Sequence, residues 1–166
     1  ASIFRALRES FDIAENAEIT MEVNPGTVSE EKINMWKTCG VNRLSIGLQS
    51  VDDGELKMLG RIHTYDEFLT TWKMVRKAGF HNVNIDLISA IPGQTKKSWE
   101  TTLRTVAQLQ PEHISAYSLI IEEGTVFGTI YGEDGERICQ KELLSRESSM
   151  PEVSDKDGNI NTTRLN

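Results

Sequence analysis

Four short segments of the chain are rich in β-branched residues or leucine and are bounded by Gly, Pro, Asn or Gln, a pattern typical of β-strands. They cover residues 18–24, 42–49, 82–89 and 113–121. Between them the apolar residues take up helical spacing, as in the run of Phe68, Leu69, Trp72 and Val75. The pattern predicts the order β-α-β-α-α-β-α-β and, from that alternation, an α/β fold with a parallel sheet.

Further helices are predicted from shorter apolar patterns and from sequences that resemble capping boxes. One helix carries Trp99 and Leu103, two shorter ones carry Ile33 with Trp36 and Leu56 with Leu59, and another covers residues 3–10. The predicted helix starts are at Thr27, Ser50 and Thr64.

The first three predicted strands each have one apolar and one polar face. Strands of parallel sheets are normally apolar on both faces, so a polar face on three strands suggests a concave, hydrated side. Ligands of parallel α/β proteins bind at the carboxyl ends of the strands. Glu22, Gln49 and Asp86 lie late in their strands and are therefore expected to converge on one mouth.

Two interpretations of these polar side chains stay open at this point. Buried carboxylates and amides need partners, and a polar ligand is one candidate. Alternatively, Asn82, Asn84 and Arg43 could satisfy Glu22 and Asp86 in an internal network. Arg43 falls early in its strand and is interpreted as structural.

The loops that follow the strands give weaker signals. Pro-Gly occurs in residues 24–27 (NPGT) and 91–95 (IPGQT), where backbone can approach a ligand closely, although such turns are more often purely structural. Arg61 and His63 follow Gly60, and the residues alone predict a solvated loop there.

Length and composition limit the choice of fold class. The 166 residues correspond to one domain, and a closed (β/α)8 barrel of about 250 residues is too large. Aromatic residues are absent after Tyr131, and residues 132–166 combine Gly, Ser, Asn and charge with scattered apolar residues. We predict a folded region over residues 1–131 and a flexible tail over 132–166 that carries a weak helical pattern at 138–147.

Charge and cysteine content exclude several functions. The net charge of −7, without a basic cluster, argues against nucleic acid or an anionic membrane as partner. The only cysteines, Cys39 and Cys139, lie a hundred positions apart, so no metal site is predicted. The sequence shows neither a signal peptide nor an apolar run that could span a membrane, and we predict a cytoplasmic protein.

Five ordered strings resemble one protein family. They are MEVNPGT (21–27), GVNRLSIGLQS (40–50), LGRIHTYDEF (59–68), NIDLISAIPGQT (84–95) and ISAYSLIIEEGT (114–125). Together they resemble the radical S-adenosylmethionine (SAM) family of oxygen-independent coproporphyrinogen III oxidases. Within that family, the motifs NPGT, LGRIH and SLIIEEGT are most similar to those of the branch of oxidase-like proteins regarded as haem chaperones.

The resemblance implies a partial (β/α)6 barrel, of which about four βα units are present here, with SAM and a [4Fe-4S] cluster in its lumen. The SAM contacts of the family fall on Glu22, Gln49, Arg61 and Asp86, with Ile120 as a backbone or apolar contact. No residue is assigned as a catalytic acid, base or nucleophile. In such proteins the cluster donates an electron to SAM, which generates a 5′-deoxyadenosyl radical.

The chain also departs from the family. In the family, a CxxxCxxC loop that binds the cluster and a glycine-rich strand precede the segment that aligns with Ala1. The sequence after about Glu136 no longer resembles the family. We therefore expect an incomplete chain, inactive alone. The implied function is haem delivery, with haem as a further ligand and haem-acceptor proteins and an electron donor as partners. The alternative is coproporphyrinogen III oxidation.

Overall fold

The computed structural model describes residues 2–132. The strands are β1 (Thr20–Val23), β2 (Arg43–Gln49), β3 (Val83–Ser89) and β4 (His113–Ser118). The helices are α1 (Ser2–Ser10), α2 (Glu30–Thr38), α3 (Asp53–Met58), α4 (Tyr65–Lys77), α5 (Lys96–Gln108) and α6 (Val126–Tyr131). The predicted order is confirmed, and α6 is an additional helix. The predicted tail, apart from Gly132, and its helical pattern at 138–147 lie outside the described residues.

The four strands form one parallel sheet in the order β1-β2-β3-β4, as the α/β prediction requires. Pairing places polar residues side by side, because Ser45 is level with Glu22 on one side and with Asn84 on the other. β4 ends at Ser118, three residues before the predicted end. Beyond it the N–H of Leu119 donates to the carbonyl of Ser89 at 2.8 Å.

The apolar residues at alternate positions of the strands pack against the helices and form the core. Leu44, Ile46 and Leu48 of β2 are fully buried, together with Phe68 and Val75 of α4. Full burial of such a side chain contributes about 1.5–3 kcal/mol. The core therefore fixes which face of β2 meets the helices, and with it which side chains face the other way.

Two of the three predicted helix starts are displaced by two residues. Thr64 caps α4 as predicted, in a complete capping box. α2 is capped by Ser29 instead of Thr27, and α3 by Asp52 instead of Ser50. In both cases the hydroxyl group that was expected to cap the helix makes another hydrogen bond. The hydroxyl of Thr27 donates to a turn carbonyl at 2.8 Å, and the hydroxyl of Ser50 donates to a buried carboxylate at 2.6 Å.

Arg76 joins α4 to the segments at the amino-terminal ends of the strands. Its Nη1 donates to both carboxylate oxygens of Glu112 at 2.9 Å, its Nη2 donates to the carbonyl of Gln110, and it stacks over Trp72. Glu112 also accepts the N–H of Val83. Burial acts to raise the pKa of Glu112, but these hydrogen bonds and the charge of Arg76 outweigh it and hold the pKa below its ordinary value.

Candidate functional site

A cavity of about 510 Å³ lies against the polar face of the sheet and receives residues from all four strands. Its volume falls in the range of about 300–1,000 Å³ that is typical of small-molecule sites. All five residues selected from the sequence line it. Glu22 comes from β1, Gln49 from the end of β2, Asp86 from β3, Arg61 from the loop after α3 and Ile120 from the segment after β4.

Three of these side chains have no protein partner. Within residues 2–132, the carboxylate of Glu22, the amide of Gln49 and the guanidinium of Arg61 make no hydrogen bond and no ion pair. Gln49 is mostly buried, with 8% of its surface exposed, and its unpaired amide keeps contact with accessible space. Their unused donors and acceptors border the cavity.

Asp86 differs, because the fold already holds its carboxylate. Oδ2 accepts the hydroxyl of Ser45 at 2.6 Å, and Oδ1 accepts Nδ2 of Asn84 at 2.7 Å. Nδ2 of Asn84 also donates to Oγ of Ser45 at 2.8 Å, and its Oδ1 accepts the hydroxyl of Ser115 at 3.0 Å. This network of three adjacent strands fixes the orientation of Asp86 at the cavity wall.

The two interpretations of the polar face therefore each describe part of it. Asn84 satisfies Asp86, as the internal-network interpretation expected, whereas Glu22 keeps an unpaired carboxylate. Arg43 lies at the start of β2, where its Nη1 is 4.0 Å from Oε1 of Glu18. Its structural assignment agrees with this position.

Gln49 takes an unusual backbone conformation at the cavity. Its φ is 73°, and the register between β2 and β3 shifts between Gly47 and Gln49. A left-handed conformation costs a residue other than glycine about 1–2 kcal/mol and is retained only where the surroundings enforce it. Gly47 leaves room for the amide, because a Cβ there would lie 2.9 Å from Nε2 of Gln49.

The loop that carries Arg61 closes one side of the site. A second cavity of about 220 Å³ shares Arg61 and Asn24 with the first and is also lined by His63. Arg61 is exposed, but His63 is only 6% exposed and its Nε2 lies 3.3 Å from the carbonyl of Leu48. The expectation of a solvated loop was therefore wrong for His63, which anchors the loop to β2.

Sequence reasoning did not select Tyr117 and Ile88, which also line the larger cavity. The two-residue period held the signal, since Ile88 follows Asp86 by two positions and Tyr117 follows Ser115 by two. The residues that face the cavity therefore continue at every second position, beyond Asp86 in β3 and beyond Ser115 in β4.

The chemistry of the larger cavity fits a zwitterionic or cationic ligand with hydroxyl groups. Glu22 and Asp86 can accept hydrogen bonds from ammonium or hydroxyl groups, Arg61 can donate to a carboxylate, and the amide of Gln49 can do both. SAM carries an ammonium group, a carboxylate, a sulfonium and ribose hydroxyls. The residues present therefore fit SAM.

The residues present do not fit an iron-sulfur cluster. Such clusters require several cysteine thiolates together, and the chain contains two cysteines in all. Cys39 is the C-cap residue of α2. Within residues 2–132 no group of three or more His, Cys, Asp or Glu side chains could hold a metal ion. In the same part of the chain, none of the helices has the length and apolar character needed to cross a bilayer.

Comparisons with known proteins agree with the geometry. The sequence model of the radical SAM superfamily matches residues 1–106. The heme chaperone HemW of Bacillus subtilis is 42% identical over 75% of this chain, and that of Escherichia coli is 39% identical over 77%. The chain spans about a third of each relative, 32% and 34% of their lengths.

A solved structure is also similar. The coproporphyrinogen III oxidase HemN of Escherichia coli, described as a radical SAM enzyme, superimposes with a TM-score of 0.69 and 28% identity. The superposition covers 82% of this chain and 30% of that enzyme. Together with the match over residues 1–106, these similarities show that the chain belongs to the radical SAM superfamily, in the branch that resembles HemW and HemN.

Proposed function

We propose that the larger cavity binds SAM through Glu22, Gln49, Arg61, Asp86 and Ile120. One observation carries the proposal: a carboxylate, an amide and a guanidinium without protein partners border the same cavity. Membership of the radical SAM superfamily supports SAM as the ligand.

Each side chain has a role that follows from its chemistry. Arg61 pairs with the carboxylate of the ligand, and Glu22 and Asp86 accept from its ammonium group and ribose hydroxyls and face its sulfonium charge. Gln49 bridges two polar groups, and Ile120 supplies an apolar or backbone contact. The ligand carries one more positive than negative charge, whereas the two carboxylates exceed the single guanidinium, so the charges are complementary.

The part of the chain described here binds and orients the ligand. Bound SAM supplies the radical chemistry for which the superfamily is named. Asp86 enters the site with its orientation already set by Ser45 and Asn84, which lowers the cost of ordering it on binding. No residue from 2 to 132 is proposed as an acid, a base or a nucleophile.

Titration of the 166-residue chain with SAM tests this proposal. We expect saturable binding that Glu22→Gln and Arg61→Gln each weaken about 10- to 150-fold, the value of a hydrogen bond to a charged group. Glu18→Gln, which removes an exposed carboxylate outside the cavity, is the matched control and should leave the affinity unchanged. Equal affinity for SAM in all four proteins would contradict the proposal.

We propose that this protein functions in haem delivery. The support is the series of relatives named heme chaperone HemW, including those of Bacillus subtilis and Escherichia coli. Haem as a ligand, haem-acceptor proteins, an electron donor, a [4Fe-4S] cluster held by residues other than those described, and a cytoplasmic location are parts of this proposal.

Coproporphyrinogen III oxidation is the second candidate, favoured by the similarity to HemN. Two grafts separate the candidates: residues 2–132 replace the corresponding segment of Bacillus subtilis HemW in one and of Escherichia coli HemN in the other. We expect the HemW graft to retain haem binding in an absorbance titration and the HemN graft to lose decarboxylation. Decarboxylation at the rate of the parent enzyme would favour the oxidase instead.

A further inference from the structure

A buried carboxylate lies outside the proposed SAM site. Glu55 of α3 is 8% exposed. Its Oε2 accepts the hydroxyl of Ser50 at 2.6 Å and Nε2 of Gln94 at 2.8 Å, and its Oε1 accepts the hydroxyl of Ser98. A carboxylate can accept all these bonds at once, whereas a neutral amide at this position would bring an extra donor among them.

Hydrogen-bond donors and the amino-terminal end of α3 compensate this charge, because Glu55 lies in the first turn of that helix. Glu55 forms no ion pair with any residue of the described part of the chain. Burying a carboxylate without a cation is unfavourable, and removing it would leave buried donors unpaired. Its contacts therefore stabilise the local fold, and they also join the segments that carry Ser50, Gln94 and Ser98.

The contacts of Glu55 connect two strand ends that border the cavity. Ser50 directly follows Gln49, and the amide of Gln94 lies 3.5 Å from the carbonyl of Ile88 as well as against Glu55. Gln49 and Ile88 both line the cavity. Glu55 thus holds the backbone next to one cavity residue on β2 and one on β3.

A strained residue directly precedes this anchor in the chain. Gln49 has a φ of 73°, and such a conformation persists only where its neighbours enforce it. Ser50 has no exposed surface, and its hydroxyl both donates to Glu55 and accepts the N–H of Asp52 at 3.0 Å. These bonds fix the chain immediately after Gln49.

We propose that Glu55 is a positioning residue, which holds Gln49 in its left-handed conformation and so places the Gln49 amide in the cavity. This proposal rests on the proposed function, in which that amide contacts SAM. Gln94 is part of the same hydrogen-bond network. Its Nε2 is fixed by Glu55 and by the carbonyl of Ile88, and its Oε1 is the one fully buried side-chain nitrogen or oxygen atom in residues 2–132 without a hydrogen-bond partner.

Two substitutions in the full 166-residue chain test this network. Glu55→Gln keeps the shape of the side chain and disturbs all its contacts, and Ser50→Ala breaks only the link to the backbone after Gln49. We expect each to change the three-bond HN–Hα coupling of Gln49 in NMR spectra, which depends on the φ of that residue, and to weaken SAM binding about ten-fold. Glu31→Gln, an exposed carboxylate of α2, is the control and should change neither.

The two readouts keep this proposal separate from the proposed function. Absence of SAM binding by the wild-type chain would refute the function, while the HN–Hα coupling of Gln49 would still report on positioning. An unchanged coupling of Gln49 in either variant would overturn the positioning role. If Glu55→Gln does not fold, Ser50→Ala decides: a changed coupling of Gln49 with an unchanged thermal midpoint supports the proposal, and a coupling equal to that of Glu31→Gln refutes it.

Discussion

Replacement of Gly47 by alanine should separate ligand binding from stability. The new Cβ would lie 2.9 Å from Nε2 of Gln49, so the amide must move by about 0.5 Å to restore an ordinary contact of 3.4 Å. That contact is the movable end of a side chain, and Gly47 does not have a positive φ. Since alanine also restricts the unfolded chain, we expect the free energy of unfolding to stay constant or rise by about 0.4–1 kcal/mol.

Binding should respond in the opposite direction. A displaced neutral amide loses a hydrogen bond worth about 0.5–1.5 kcal/mol, so the Kd for SAM should rise about two- to twelve-fold. Calorimetric titration measures the Kd and urea unfolding measures the stability. The wild-type chain is the reference for both measurements. A Kd equal to that of the wild-type chain would refute a role for Gln49 in binding.

Three further outcomes are expected. Ser45→Ala removes the hydroxyl that holds Asp86 at 2.6 Å and should raise the Kd for SAM about two- to twelve-fold in the same titration, and an unchanged Kd would show that Asp86 needs no such support. Because the folded pKa of Glu112 is lowered, its pairing with Arg76 stabilises the fold above the ordinary value of 4.5 and is lost as pH falls through the folded pKa. Glu112→Gln should therefore cost about 0.2–1 kcal/mol in urea unfolding at neutral pH, and this cost should shrink as the pH falls from 4.5 through the folded pKa; a cost that does not change with pH would contradict this. Anaerobic reconstitution with iron and sulfide should yield no four-iron absorbance, because the chain has only two cysteines, and a clear cluster spectrum would overturn that expectation.

Periodicity was sufficient to predict the sheet and the residues that share its polar face. The alternation within β1, β2 and β3 depends only on which side chains face the core, and a one-residue slip would expose Leu44, Ile46 and Leu48. For that reason Glu22 and Asp86 could be assigned to one cavity from the chain alone. Arg61 could not, because no period governs a loop, and it was selected through the family resemblance.

Other features depend on contacts that local sequence does not encode. Ser50 resembles a helix cap, but its hydroxyl donates to Glu55, which leaves Asp52 to cap α3. The left-handed conformation of Gln49 follows from that anchoring and not from its residue type. α6 was missed because Val126–Tyr131 contains β-branched residues and a glycine, which are poor helix formers, and its start depends on the side chain of Thr125.

Residue-resolved NMR of the 18.7 kDa chain with added SAM tests the central claim most directly. We predict saturable, SAM-dependent shifts of the signals of Glu22, Gln49, Arg61, Asp86 and Ile120, with little change around Arg76 and Glu112 at the amino-terminal ends of the strands. Shifts confined to other surfaces, or no shifts at saturating SAM, would contradict it.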